Sequence, residues 1–122
     1  MPIDWRESPD KRGIVIEFTD PYSTRDYDRM MKEIFARTNV SPLRLLADVR
    51  RSTPPRSDFV QHASTFWRQN LDAMEGARIA VVVGTDAQFG MARMAEMYAE
   101  QLPFRIRVFR GWDDAEDWLA MA

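Results

Sequence analysis

The chain has 122 residues, 45% hydrophobic and 30% charged, with 17 basic and 19 acidic side chains for a formal net charge of −2. That length fits one domain around a single core, and the composition excludes a disordered or membrane-embedded chain. The charge balance argues against a general nucleic-acid binder, which needs a basic excess to neutralise phosphates. Having no cysteine excludes disulfides and thiol chemistry, and a single histidine (His62) is a poor basis for a zinc centre.

The N-terminal residues Met-Pro-Ile-Asp-Trp-Arg-Glu carry neither an apolar signal core nor transit-peptide character, so a cytoplasmic protein is the expectation. Ile3 to Glu7 alternates, Ser8 to Gly13 is rich in turn formers, and Ile14 to Phe18 is dense in β-branched residues. Two strands joined by a tight connection predict an opening hairpin. Ser23 and Asp26 then make a capping-box start for a helix from about Thr24 to Arg37. Its apolar stripe is Tyr27, Met30, Met31, Ile34 and Phe35. Thr38-Asn39-Val40-Ser41-Pro42 is expected to end it.

Leu43 to Asp48 reads as a central strand, nearly continuous in apolar residues and so expected to be buried on both faces. It runs into the loop Val49 to Ser57, which holds three arginines and is stiffened by Pro54-Pro55. Ser57 reads as the N-cap of a long helix, Asp58 to Met74, ended by Glu75-Gly76 with the glycine in a left-handed position. Ile79 to Val83 is the longest apolar run, far short of a membrane span. Thr85 and Gln88 form a capping box for a third helix with Met91, Ala95, Tyr98 and Leu102 as its stripe. Phe104 to Phe109 alternates as an edge strand. Asp113 and Glu116 suggest a further capping box for a last helix, with Ala115, Trp118 and Leu119 facing inward. The order β-β-α-β-α-β-α-β-α predicts an α/β fold: a mixed, mostly parallel sheet with one antiparallel strand from the hairpin.

In open α/β sheets, ligands and partners are met at the carboxyl ends of the strands. Asp48, Arg50, Arg51, Arg56 and Ser57 are therefore the candidate partner-binding loop, since arginine forks match phosphate and carboxylate oxygens. The plain alternative is a solvated loop. Asp20, Asp48 and Asp86 each lie near a strand end and could bind Mg²⁺ as oxygen ligands, but turn and cap chemistry is the favoured account of them. No lysine lies near a late strand end to complete such a site, so no metal and no cofactor are expected. His62 has no nucleophile motif beside it and reads as an ordinary helix residue. Val83-Gly84-Thr85-Asp86 has one glycine and is weak as a nucleotide loop. Phe66, Trp67, Phe89, Met91, Met94 and Met97 exceed what one narrow core stripe needs. They are candidates for an apolar pocket or a homodimer face.

The element order, the Leu45-Leu46-Ala47-Asp48 strand end, the helix after it, the Ile79-Ala80-Val81-Val82-Val83 strand and the final Trp112-Asp-Asp-Ala-Glu-Asp-Trp118-Leu119 helix together resemble the SpoIIAA-like branch of the STAS fold. STAS domains include the anti-sigma-factor antagonists and the cytoplasmic tails of sulfate transporters. The resemblance implies a non-enzymatic regulatory module that binds another protein. In the antagonists a serine or threonine after the central strand is phosphorylated by a partner kinase, which makes Ser57 the candidate phosphoacceptor. The family run there is Asp-Ser-Ser-Gly or Asp-Ser-Ala-Gly; this chain has Arg51-Ser-Thr-Pro-Pro-Arg-Ser57-Asp58 and lacks the usual motif. The same branch is similar in layout to small lipid-carrying folds, which implies the alternative of a carrier or sensor of an apolar small molecule or lipid, with no membrane span.

Overall fold

The hairpin predicted at the start is present: β1 (Ile3–Glu7) pairs antiparallel with β2 (Ile14–Phe18), Trp5 lying opposite Ile16. The computed structural model describes residues 2–10, 12–37 and 41–121. Lys11, expected in a turn, and Thr38, Asn39 and Val40, which were expected to end the first helix, lie outside the described residues. After β2 come α1 (Thr24–Arg37), β3 (Arg44–Asp48), α2 (Ser57–Gln69), α3 (Leu71–Met74), β4 (Arg78–Val82), α4 (Asp86–Ala99), β5 (Arg105–Phe109) and α5 (Trp112–Ala120). The sheet runs β1-β2-β3-β4-β5, with every pair after the hairpin parallel. This is the mixed α/β sheet that the element order predicts.

Strand alternation decides which residues meet which helix. Ile14, Ile16, Leu45, Ala47 and Ile79 point to one face, where they meet Met31 and Ile34 of α1, Ala63 and Trp67 of α2, and Ala92 of α4. Leu46, Ala80 and Val82 point to the other face, under Ala115 and Trp118 of α5. The central strands are thus buried on both sides. Side chains such as Ile34 and Met74 are fully enclosed, each contributing on the order of 1.5–3 kcal/mol relative to exposure.

The helix starts follow local chemistry in two places and depart from expectation in two others. Ser23 and Asp26 exchange the reciprocal bonds of a capping box, as do Thr85 and Gln88. Ser57, in contrast, is not an N-cap: Arg56 occupies that position in an extended conformation, with no side-chain cap bond, and Ser57 is already helical. The two prolines before Arg56 hold that stretch extended, which displaces the helix start by one residue. Likewise Asp113 and Glu116 form no capping box, because α5 begins earlier, with Gly111 at its cap.

The expected helix from Asp58 to Met74 is also broken. Asn70 leaves the helical region at φ −133°, ψ 40°, and its side-chain amide donates to the Phe66 carbonyl at 2.8 Å. That side-chain bond competes with the helix ladder. Gly76 takes the left-handed conformation, φ 73°, and its N–H donates to the Pro103 carbonyl at 2.8 Å. At the β5 edge, the Glu96 carboxylate of α4 accepts from the Val108 N–H at 2.7 Å, closing one position that would otherwise offer a free donor.

Candidate functional site

Three loops meet at the carboxyl ends of β2, β3 and β4, and two side chains bind them together. Gln88 is only 2% exposed. Its amide nitrogen donates to the carbonyls of Val49 (2.8 Å) and Ser52 (2.7 Å), while its amide oxygen accepts from the N–H groups of Gly84 and Thr85. The residue that completes the α4 capping box therefore also fastens the β3–α2 loop to the β4–α4 turn. From the other side, Asp20 accepts from the Thr53 N–H at 2.7 Å and the Thr53 hydroxyl at 3.1 Å. The Ser52 hydroxyl is buried and donates back to Val49. The arginine-bearing loop is thus fixed in its backbone.

Its arginines do not converge. Arg50 forks onto Asp48, with its Nε 2.9 Å from one carboxylate oxygen and a terminal nitrogen 3.0 Å from the other, and its guanidinium lies 5.4 Å from the Trp112 ring centre. This places Asp48 and Arg50 on the α5 side of the sheet. Burial pushes the Asp48 carboxyl up, but hydrogen bonds from Arg50 and the charges of Arg50 and Arg51 outweigh it and hold the group below its ordinary value. Arg51 and Arg56 are exposed, and Arg56 lies 3.4 Å from Asp58 at the start of α2. Ser57 is exposed in the same first turn.

The three strand-end aspartates go separate ways: Asp20 to Thr53, Asp48 to Arg50, and Asp86 to Arg110 at 2.7 Å. Among the described residues no group of three or more His, Asp or Glu side chains is placed to hold a metal ion. His62 lies 2.8 Å from Asp28 and ties α2 to α1.

Beneath this rim lies an apolar cleft of about 100 Å³ between the sheet and the helices. Its floor is Ile16, Leu45, Ala47, Ile79, Val81 and Ile106. One wall is Phe59, Val60, Ala63 and Trp67 of α2; the other is Met91, Ala92 and Ala95 of α4, with Gln88 at the rim. Phe18, Tyr22 and Pro55 also line it, and Tyr22, Phe59 and Phe18 pack edge to face with centroids 5.1 to 6.4 Å apart. Burial holds the Tyr22 phenol above its ordinary value, with the Asp20 charge adding to this and the Ser52 hydroxyl partly offsetting it, so the group stays neutral. Deeper in, Tyr27 accepts from the Trp67 indole N–H at 2.8 Å, which gives that buried donor its partner.

Of the apolar candidates, Trp67 and Met91 line this cleft. Phe66 packs instead between α1 and α2 against Tyr27 and Phe35. Phe89 lies under the Arg110 guanidinium. Met94 is half-buried away from the cleft, and Met97 is 64% exposed. Sequence reasoning passed over Tyr22, Phe59 and the alanines. The available signal was size: Ala47, Ala63, Ala92 and Ala95 face one another from three elements, and small side chains at facing positions leave space. Gln88 gave only its cap signal, because its reach to Val49 depends on two loops meeting.

The comparisons with known proteins bear on fold. An uncharacterized protein with a SpoIIAA-like fold from Shewanella loihica PV-4 superposes with a TM-score of 0.67 at 17% identity, covering 97% of this chain and 92% of that one. No curated protein matches the chain. The SpoIIAA-like family model matches residues 14–120, nearly the whole length over which this sheet, its rim and its cleft are built. The chain therefore belongs to the SpoIIAA-like family.

Proposed function

We propose that this protein acts by binding rather than by catalysis, and that it takes a small apolar molecule, or the apolar end of a larger one, into the cleft between α2, α4 and the sheet. The observation that carries this reading is the cleft itself. The cleft holds about 100 Å³, where one water needs only about 10–15 Å³. Water gains little there, because the lining is aliphatic and aromatic and the Trp67 indole N–H already has its acceptor in Tyr27. Concave apolar sites with a few polar groups at the rim are the usual form of small-molecule sites. Tyr22 supplies such a group here, while the Gln88 amide is spent on the backbone of the two loops. The test is titration with two probes, benzene followed by NMR and a fluorescent fatty acid whose apolar end would enter: saturable binding of at least one is expected in the wild type, with loss of it in Ala95→Phe, which fills the cleft. Failure of both probes to bind the folded wild type removes the proposal.

A second reading is carried by a different observation: Arg51 and Arg56 are exposed on a loop whose backbone is fixed by Asp20 and Gln88. A pre-ordered loop loses little entropy on binding, so it suits recognition of an acidic protein surface. Ser57, exposed at the first turn of α2, is where phosphorylation would act on that contact; its added charge would sit favourably at a helix N-terminus but beside Asp58. Charge reversal at Arg51 and Arg56 should abolish capture of such a partner with the fold intact; unchanged capture discards the reading.

A further inference from the structure

The two edges of the sheet are not alike. At β5 the Glu96 carboxylate covers the Val108 N–H. At β1 two bonds fix the phase of the hairpin ladder: the Ser8 N–H donates to the Gly13 carbonyl at 2.9 Å, and the Thr19 N–H donates to the Pro2 carbonyl at 2.7 Å. Antiparallel pairing alternates strictly. Even-numbered residues of β1 therefore turn their backbone groups toward β2, and Ile3, Trp5 and Glu7 turn theirs away from it, to an edge that no other strand among the described residues pairs with; Ile3 is buried there, Trp5 half-buried and Glu7 exposed. That edge holds no proline among the outward positions, so every donor and acceptor on it is complete.

We propose that this edge pairs with β1 of a second copy of the chain, antiparallel, about a two-fold axis passing beside Trp5. The argument is self-complementarity. With Trp5 opposite Trp5, Ile3 falls opposite Glu7, and these three hydrogen-bonded pairs exchange two bonds each. The same register places Asp4 of one copy directly opposite Arg6 of the other, on the α5 side of the sheet, as close non-hydrogen-bonded neighbours. Shifting the register by one residue per chain either way puts Asp4 against Asp4 or Arg6 against Arg6, and like charges directly opposite are destabilising. The charge pattern thus selects one register out of three. On the helix side, half-buried Trp5 would meet its own copy, an aromatic pair of the kind that stabilises facing strands. The ion pair that Arg6 already makes with Glu17, 2.8 Å, is compatible with this, because Asp4 lies opposite Glu17 in the hairpin and Arg6 of the second copy would add a cation beside those two acids.

A two-fold edge pairing of this kind would make one continuous ten-stranded sheet from two five-stranded ones. It also leaves the rim loop and the cleft open in both copies.

Sedimentation velocity on the full chain tests the proposal. The wild type is expected to be a dimer. Asp4→Arg alone and Arg6→Asp alone should each weaken association by about a hundredfold or more, since each sets two like-charge pairs face to face. Combining the two substitutions should restore the dimer. A monomeric wild type, or single variants that dimerise as well as the wild type, would overturn it. A cross-linking measurement covers the case in which a charge variant folds poorly. The chain has no cysteine, and opposite non-hydrogen-bonded residues lie about 4.5 Å apart between Cα atoms, within disulfide range. Oxidising a mixture of Asp4→Cys and Arg6→Cys chains should join one of each; cross-linking only within each separate sample, or none, would overturn the register.

Discussion

The Gln88 side-chain amide donates to the Val49 carbonyl at 2.8 Å across 39 residues of sequence. This bond joins the turn that starts α4 to the loop that leaves the central strand, beside the cleft that Gln88 and Val49 both line. Because the amide is buried and also serves Ser52, Gly84 and Thr85, replacing it orphans several backbone groups at once. Gln88→Leu should destabilise the protein by about 2–4 kcal/mol, read as a lower urea midpoint at constant slope. It should also raise hydrogen exchange at Ser52 and Thr53.

Tyr27→Phe tests the polar pair inside the wall. Removing the phenol oxygen leaves the Trp67 indole N–H buried without its acceptor, at a cost of about 1–3 kcal/mol. Burial holds the Tyr27 phenol well above its ordinary value, with the bond from Trp67 lowering it partway. An ultraviolet titration should therefore show one tyrosine that does not ionise until the protein unfolds in alkali.

The Asp48–Arg50 pair gives a pH prediction. Since the folded carboxyl titrates below its ordinary value, the unfolded chain takes up a proton first as pH falls. The stabilisation is complete above the unfolded value of about 3.9 and disappears as pH drops through the folded one. Asp48→Asn should thus be less stable than the wild type by about 1–3 kcal/mol at neutral pH. That gap should close as the solution is taken below about pH 4, in denaturant curves measured at each pH.

Gly76 carries the turn between α3 and β4 at φ 73°, and an added Cβ there would come within 3.3 Å of the Pro42 ring. Gly76→Ala combines the left-handed penalty of about 1–2 kcal/mol with that contact. It should lower the thermal midpoint without altering ligand binding, because neither Gly76 nor Pro42 lines the cleft.

Most of the fold was legible because its signals are local. The β-branched run of Ile14 to Phe18, the apolar run at Ile79 to Val83 and the two reciprocal capping boxes each act over a few residues. The errors came where a local signal had a nearby competitor. Pro54-Pro55 set Arg56, rather than Ser57, at the helix cap, and Asn70 spent its side chain on the Phe66 carbonyl and split one helix into two. The site was less legible than the fold. Three arginines close in sequence looked like one cluster, yet Arg50 pairs with Asp48 on the α5 side of the sheet while Arg56 lies beside Asp58 at the start of α2. The cleft depends on what is missing from facing positions, and the positions of Ala63, Ala92 and Ala95 face one another only after folding.

The central claim, that the cleft holds an apolar ligand, is tested most directly by native mass spectrometry of the protein purified gently from its own host. The account predicts a non-covalent adduct of an apolar small molecule on the wild-type chain and its loss in Ala95→Phe purified in the same way. A wild-type chain that arrives bare, or an adduct retained unchanged in the filled variant, would contradict it.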